Sequence, residues 1–387
     1  MDVVLFLLII LGFLNAGRIF TRKIWGLNFS GPAEAFIFSS ALGSVIASVM
    51  MTGLVFIGQV SSLTCWGVLA ILLFSGIGSL RECRQWRFTA GLTSPVFFPL
   101  SPLKTAAQII LGVLVLLALS LALAPAFATD ALVYHLAVPK AFLQAGGLIN
   151  LPNNIYSFFP QQIEMLYLLA LALGSDSLAQ LTGMGIVFLL LLALWQYYRQ
   201  KGSAAYAWLV PLIFISTPTF FSVASSAYVD LQAAAYVFLA FYSWENGCTR
   251  KQAGWFFLMA LFTGAAVATK LTTVVILPLA LLGLAVHGRS HKNTRQVVGQ
   301  CLVLVLSSLM LLLPWLARNY FFTGNPFAPF FMTFFGGENG MNWDIERSQQ
   351  QFQYYSSFGM GHGIQDFLLL PINLTFFSEP HSLKFDG

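Results

Sequence analysis

Apolar runs alternate with short polar connections along most of the chain, and most of the runs approach or reach the roughly 17–25 residues needed to cross a hydrocarbon layer. The pattern predicts ten membrane helices, at about 2–17, 33–57, 62–79, 106–127, 178–198, 204–224, 231–246, 253–269, 271–287 and 297–316. The expected fold class is an all-α polytopic membrane protein whose long outer loops carry interfacial helices. Residues 1–105 read as an N-terminal three-helix segment, 106–316 as a transmembrane core with an outer loop at 128–177, and 317–387 as a further outer segment.

One apolar stretch breaks the alternation. "IEMLYLLALALG" (163–174) resembles part of a crossing, yet counting it as one inverts every later connection. It is read as a re-entrant or interfacial helix inside the 128–177 loop. Partial crossings persist in membranes where they are buried in protein or line a wet cavity. A cavity on the outer face is therefore expected.

Charge placement tests the assignment. Fourteen of the nineteen basic residues fall on one side, in clusters around Arg18–Lys23, Arg81–Lys104, Arg199–Lys201, Arg250–Lys251 and Arg289–Arg295. The other side receives Lys140, Lys270, Arg318, Arg347 and Lys384, with eleven of the fourteen acidic residues. By the positive-inside rule the first side is cytoplasmic. The expected location is the inner (plasma) membrane, multi-pass, with the acidic loops facing out.

Composition narrows the class further. Only 9% of residues are charged, against about a quarter in a soluble domain, so the lipid bilayer is the chain's solvent. The net charge of +5 sits in short clusters between apolar runs, as topology determinants do, so no nucleic-acid partner is expected. The N-terminal run lacks a basic leader and is followed by Arg18, Arg22 and Lys23, which favours a retained helix over a cleaved signal. Cys65, Cys83, Cys248 and Cys301 show neither disulfide-framework nor zinc-ligand spacing.

Candidate chemistry gathers on the outer side. In "LALAPAFATDALVYHLAVPKAF" (121–142) an apolar run ends and Asp130, Tyr134, His135 and Lys140 follow. Asp130 reads either as a hydrated helix-end carboxylate or as a general base facing a membrane-embedded substrate. If 130–138 is helical, Tyr134 shares its face at i+4, with His135 beside it and Pro139 bending or ending the helix. Asp230 opens a helix and Glu164 another, so either can serve as a cap or point into a cavity. Lys270 stands between two apolar runs with no acidic neighbour in sequence. It reads as a snorkelling side chain or as a functional cation. Arg318 follows the last helix on the same side, and two such cations suit an anionic phosphate.

"TDALVYHLAVPKAF", "SFFPQQIEMLYLLALALG", "GAAVATKLTT" and "PWLARNYFFTGNPFAPFF", in this order from about residue 106 to the end, resemble the GT-C membrane glycosyltransferases. The nearer likeness is to the bacterial branch related to aminoarabinose transferases and protein O-mannosyltransferases. The resemblance implies an inverting transferase, moving a hexose or pentose from a polyprenyl-phosphate carrier to an acceptor on the extracytoplasmic face. It puts the catalytic carboxylate at Asp130, a second acidic position at Asp230, and Lys270 and Arg318 against the donor phosphate. It also implies further helices beyond residue 387, so the chain is read as C-terminally incomplete. The loop reads "TDAL", without the Asp-Glu pair of close relatives, so a divalent metal cofactor has no clear motif to hold it. Two rival classes stand beside this reading: a transporter or flippase for a lipid-linked or anionic substrate, and a non-catalytic subunit of an envelope-assembly complex. Transporters place ionisable groups near mid-bilayer on broken helices, whereas here nearly every charge lies at a helix end.

Overall fold

The computed structural model describes residues 1–76, 102–291, 294–357, 359 and 361–377. Glu82, Cys83, Arg81, Arg84, Arg87, Lys292, Lys384, the end of the expected third helix and the terminal "SLKFDG" lie outside these residues. Among the described residues every regular element is helical. In chain order these are α1 (Asp2–Arg18), α2 (Pro32–Phe56), α3 (Ser62–Phe74), α4 (Pro102–Ala122), α5 (Ala137–Ala145), α6 (Glu164–Leu173), α7 (Asp176–Lys201) and α8 (Leu209–Ser216). There follow α9 (Pro218–Ala224), α10 (Asp230–Arg250), α11 (Ala253–Thr269), α12 (Ile276–His291), α13 (Thr294–Thr323), α14 (Met332–Phe335), α15 (Ile345–Ser356) and α16 (Ile364–Phe376).

Six stretches among the described residues are long and apolar enough to cross a membrane: Asp2–Ile24, Pro32–Phe56, Thr105–Ala122, Asp176–Lys201, Leu271–Gly288 and Thr294–Thr323. The chain is an all-α polytopic membrane protein with about six long apolar helices. The expected helix at 204–224 is two helices. Thr217 precedes Pro218, which excludes it from the helical region, and it takes an extended backbone (φ −74°, ψ 121°) while Pro218 starts α9. The expected helix at 271–287 opens with a 3₁₀ turn, Leu271–Val275, before α12.

The chain divides into two compact units, residues 1–149 with 159–315 and residues 150–158 with 316–387. In the first, α1 and α2 pack through glycine. A Cβ on Gly17 would sit 1.8 Å from the Ser39 carbonyl oxygen, and one on Gly43 equally close to that of Phe13. Only hydrogen at both positions lets the backbones touch, the usual device of helix pairs in lipid.

Two sets of contacts define opposite ends of this unit. At one end Ser175 bonds Asp2, the Leu148 amide donates to Val55 O (2.9 Å), Val60 N to Gly146 O (2.9 Å) and Ser62 Oγ to Ala172 O (3.1 Å). At the other, Arg250 grips Glu34, Lys201 pairs with Glu245, and the Asn28 amide donates to Gln252 (3.1 Å). The described basic residues Lys201 and Arg250 belong to the second end. α6 starts deep and ends at the first end. The Gln162 amide donates to Ala268 O (3.1 Å) and its carbonyl accepts from Ser48, eight residues inside the end of α2. Ten residues span about 15 Å, half the hydrocarbon thickness, so the loop that carries α6 enters the unit and returns.

Sidedness has a direct test. In a cysteine-free background, single cysteines at 130 and 230 are expected to react with a membrane-impermeant thiol reagent in intact cells whose outer envelope has been opened. Cysteines at 201 and 251 are expected to react only after lysis. Labelling of 251 from outside would reverse the orientation.

The second unit is organised by asparagine. Asn319 Nδ2 donates to Phe158 O (2.8 Å) and Ala328 O (3.0 Å), and Asn325 Nδ2 to Phe330 O (2.8 Å) and Gly336 O (3.1 Å). Around them Phe158, Ala328, Met332 and Met341 form a small core, with Phe322 and Trp343 against it.

Candidate functional site

The segment after α4 folds so that consecutive side chains serve different partners. Residues Ala131–His135 form a π-helical turn, closed by the Leu136 amide on Ala131 O (2.9 Å). Such turns are rare and recur at functional sites. The Tyr134 hydroxyl donates to Asp130 Oδ2 (3.2 Å), the expected i+4 contact. The next residue turns inward: His135 Nδ1 meets Glu164 Oε1 at 2.8 Å, with both side chains almost wholly buried. Pro139 was expected to bend or end the helix; the π-helical turn closes at His135 and a new helix begins at Ala137. Pro139 sits in the first turn of α5, where its missing N–H costs no hydrogen bond.

His135 is the centre of the arrangement. Its ring lies 3.9 Å, centroid to centroid, from that of Tyr134, and 5.9 Å from that of Tyr228 in an edge-on contact. Tyr134 holds Asp130 through the carboxylate. Tyr228 is itself anchored, its carbonyl accepting from the Tyr167 hydroxyl (2.5 Å). Burial first, and then the charges of Asp130, Glu164 and Asp230, push the Tyr134 phenol well above its ordinary pKa. Tyr134 therefore remains a hydrogen-bond donor at any physiological pH.

Asp230 and Glu164 are the first residues of α10 and α6, and neither side chain caps its helix. Asp230 instead pairs with Lys270, which ends α11. The lysine without an acidic neighbour in sequence thus has one forty residues away. The pair is open to solvent, with the two side chains 39% and 45% exposed. Arg318 lies in the second unit, buried, donating from Nε (3.1 Å) and Nη2 (2.8 Å) to Asn319 Oδ1. The other six candidate residues, Asp130, Tyr134, His135, Glu164, Asp230 and Lys270, come together in the first unit.

Two further features surround them. His135 Nε2, Glu164 Oε2 and both polar atoms of Gln232 are buried without a hydrogen-bond partner among the described residues. Unsatisfied groups of this kind are costly and call for an explanation. Beginning at Asp230 and Lys270, a groove of about 560 Å³ runs along α10. Ala233, Ala234, Val237, Phe238 and Phe241 line it, a 3–4-residue spacing that puts them on one face, and Thr272 and Thr273 stand near its charged end. No group of three His, Cys, Asp or Glu side chains among the described residues could hold a metal ion.

Tyr228 and Tyr167 were not among the sequence candidates. Tyr228 lies two residues before Asp230, the one signal that could have drawn attention to it.

The chain belongs to the family described as a domain of unknown function, DUF8201, which it matches over residues 2–376. No curated protein and no solved structure matches it.

Proposed function

We propose that the protein is a membrane glycosyltransferase that takes a sugar from a polyprenyl-phosphate carrier at the extracytoplasmic face, with Asp130 as general base. The observation that carries this reading is the groove on α10. It is apolar along its length and charged at one end, the shape of a single lipid chain with an ionic head, and Asp230 at that end follows by two residues Tyr228, whose ring meets His135.

In this mechanism Asp130, oriented by Tyr134, accepts the proton of the acceptor hydroxyl. The oxygen attacks the anomeric carbon from the face opposite the phosphate, and the bond to the phosphate breaks with inversion. Lys270 neutralises the charge that builds on the departing phosphate. A phosphate of low basicity leaves without a general acid. A flippase for the same lipid would use the same groove; the held carboxylate beside the head favours transfer chemistry over transport. The test is to incubate the purified protein in nanodiscs with polyprenyl-phosphate sugars and to follow polyprenyl phosphate and released or transferred sugar by mass spectrometry. Carrier binding with no turnover on any donor would favour the flippase, and absence of both would end the proposal.

The Asp230–Lys270 pair sharpens the prediction for Lys270. Charge-assisted contacts to phosphate are worth about 1.5–3 kcal/mol, so Lys270→Met is expected to weaken carrier binding by about 10–150-fold. Asp230→Asn acts in the opposite direction. It frees the ammonium from a solvent-exposed pair worth about 0–1 kcal/mol, so carrier binding should tighten by up to about fivefold. An uncharged polyprenol is the control, and neither substitution should alter its binding. If Lys270→Met discriminates carrier from polyprenol as well as wild type does, Lys270 is a snorkelling residue and the phosphate sits elsewhere.

A further inference from the structure

We propose a second ligand site, for a phosphate group, at the opposite end of the first unit. A cavity of about 270 Å³ lies where the end of α10, the start of α11, the end of α12 and the start of α13 meet. Lys251, His287, Gln296 and Gln300 line it, with Phe256 and Val297 as apolar wall. This lining offers an ammonium, an imidazole and two amides, and no carboxylate. Its composition selects an anion.

The charges around it point the same way. Two cations at this end have carboxylate partners: Arg250 holds Glu34 and Lys201 holds Glu245. Lys251 forms no ion pair among the described residues. It closes α10 in a left-handed conformation (φ 55°, ψ 31°), its amide donating to Gly247 O at 3.1 Å. Glycine or asparagine ordinarily fills such a position, because a Cβ there is strained. The lysine at this bend sets its charge on the cavity rim. α11 begins at the cavity with Ala253, and the free amides of a first turn add positive potential to a site that side chains already define.

The walls depend on two close approaches. A Cβ on Gly288 would lie 1.8 Å from Val297 Cγ2, and one on Gly247 would lie 2.9 Å from the Phe256 ring. Glycine at these positions lets α12 close on α13 and α10 on α11, and so shapes the cavity between them. The volume falls just below the roughly 300–1,000 Å³ of sites for drug-sized ligands. It suits one phosphate with a small substituent. Among the described lining residues, one lysine with imidazole and amide donors matches a phosphate monoester or diester. The shared chemistry has two sources, the headgroup of an anionic lipid in the adjacent leaflet and a soluble phosphate compound.

The experiment uses the full chain in phosphatidylcholine nanodiscs and reads thermal stability. One arm titrates inorganic phosphate against chloride; the other replaces part of the phosphatidylcholine with phosphatidic acid and counts retained phosphatidate by native mass spectrometry. Wild type is expected to be stabilised in at least one arm. Lys251→Asn, which keeps a residue suited to the left-handed bend, is expected to weaken that binding about tenfold or more. Gln300→Leu, away from the bend, should weaken it less and provides a second variant. Response to inorganic phosphate alone assigns a soluble ligand, and response to phosphatidate alone assigns a lipid headgroup. No response in either arm, or equal response by wild type and Lys251→Asn, overturns the proposal. Carrier binding at Lys270 is a separate measurement, so this site and the proposed transferase activity stand or fall independently.

Discussion

Asp130→Asn is expected to lower turnover by about 10²–10⁴-fold, the range general-base catalysis contributes, while expression and carrier affinity stay near wild type. The substitution suits the geometry. Asparagine retains an oxygen to accept from Tyr134, so the contact at the π-helical turn is kept. What it removes is the capacity to take a proton. The loss should therefore fall on kcat, with KM for the lipid donor little changed, because carrier binding is assigned to the groove and Lys270. Single-turnover measurement of polyprenyl-phosphate release in nanodiscs separates the two. An Asn variant that keeps most of its turnover would return Asp130 to the role of a hydrated helix-end carboxylate, held by Tyr134 for structural reasons alone.

Hydropathy located the long helices well because lipid leaves little freedom in their length. α2, α7 and α11 lie within about three residues of the expected bounds at each end. α10 was underestimated at its C-terminal end. The expected helix stopped at 246 among Glu245 and Asn246, and the last turn with Arg250 read as a polar connection. In the fold Glu245 meets Lys201, Asn246 donates to Glu34, and Arg250 grips the same carboxylate, so the helix continues through polar residues that the protein itself satisfies. A pattern of single-residue hydropathies carries no information about such partners. The break at Pro218 was legible in principle, since the residue before proline resists the helical region, but the apolar run across it concealed two short helices.

The candidate site divides in the same way. The contact of Tyr134 with Asp130 was legible because it is local and follows helical spacing. The His135–Glu164 pair spans 29 residues and the Asp230–Lys270 pair spans 40. The first depends on the entry and return of the loop before α6 and the second on the packing of α10 against α11, and one sequence does not specify such pairings. The π-helical turn also left no mark in the pattern. It is nevertheless what aims Tyr134 at Asp130 and the adjacent His135 at Glu164.

The largest expected loss of stability lies far from this site, at Arg250. Glu34 is fully buried near the start of α2 and takes two charge-assisted hydrogen bonds from the guanidinium, Nη1 to Oε2 and Nη2 to Oε1, both 2.8 Å. The Ser30 amide (2.7 Å) and Asn246 Nδ2 (3.2 Å) also donate to the carboxylate, and Arg250 stacks over Trp255 at 5.0 Å. Removing one member of a buried pair leaves an uncompensated charge, at about 3–5 kcal/mol. Arg250→Met is accordingly expected to leave little folded protein after detergent extraction, measured by fluorescence-detected gel filtration and thermal aggregation. Arg250→Lys should be intermediate, because an ammonium cannot reproduce the two-point grip. The decisive variant is the double one. Glu34→Leu with Arg250→Met removes both charges, and replacement of a whole buried pair by apolar groups is often neutral. It should recover much of the stability that Arg250→Met loses. If the double variant is as unstable as the two single losses combined, the guanidinium acts through its contact with Trp255 and the Asn28 carbonyl (2.5 Å), and the pairing with Glu34 is incidental.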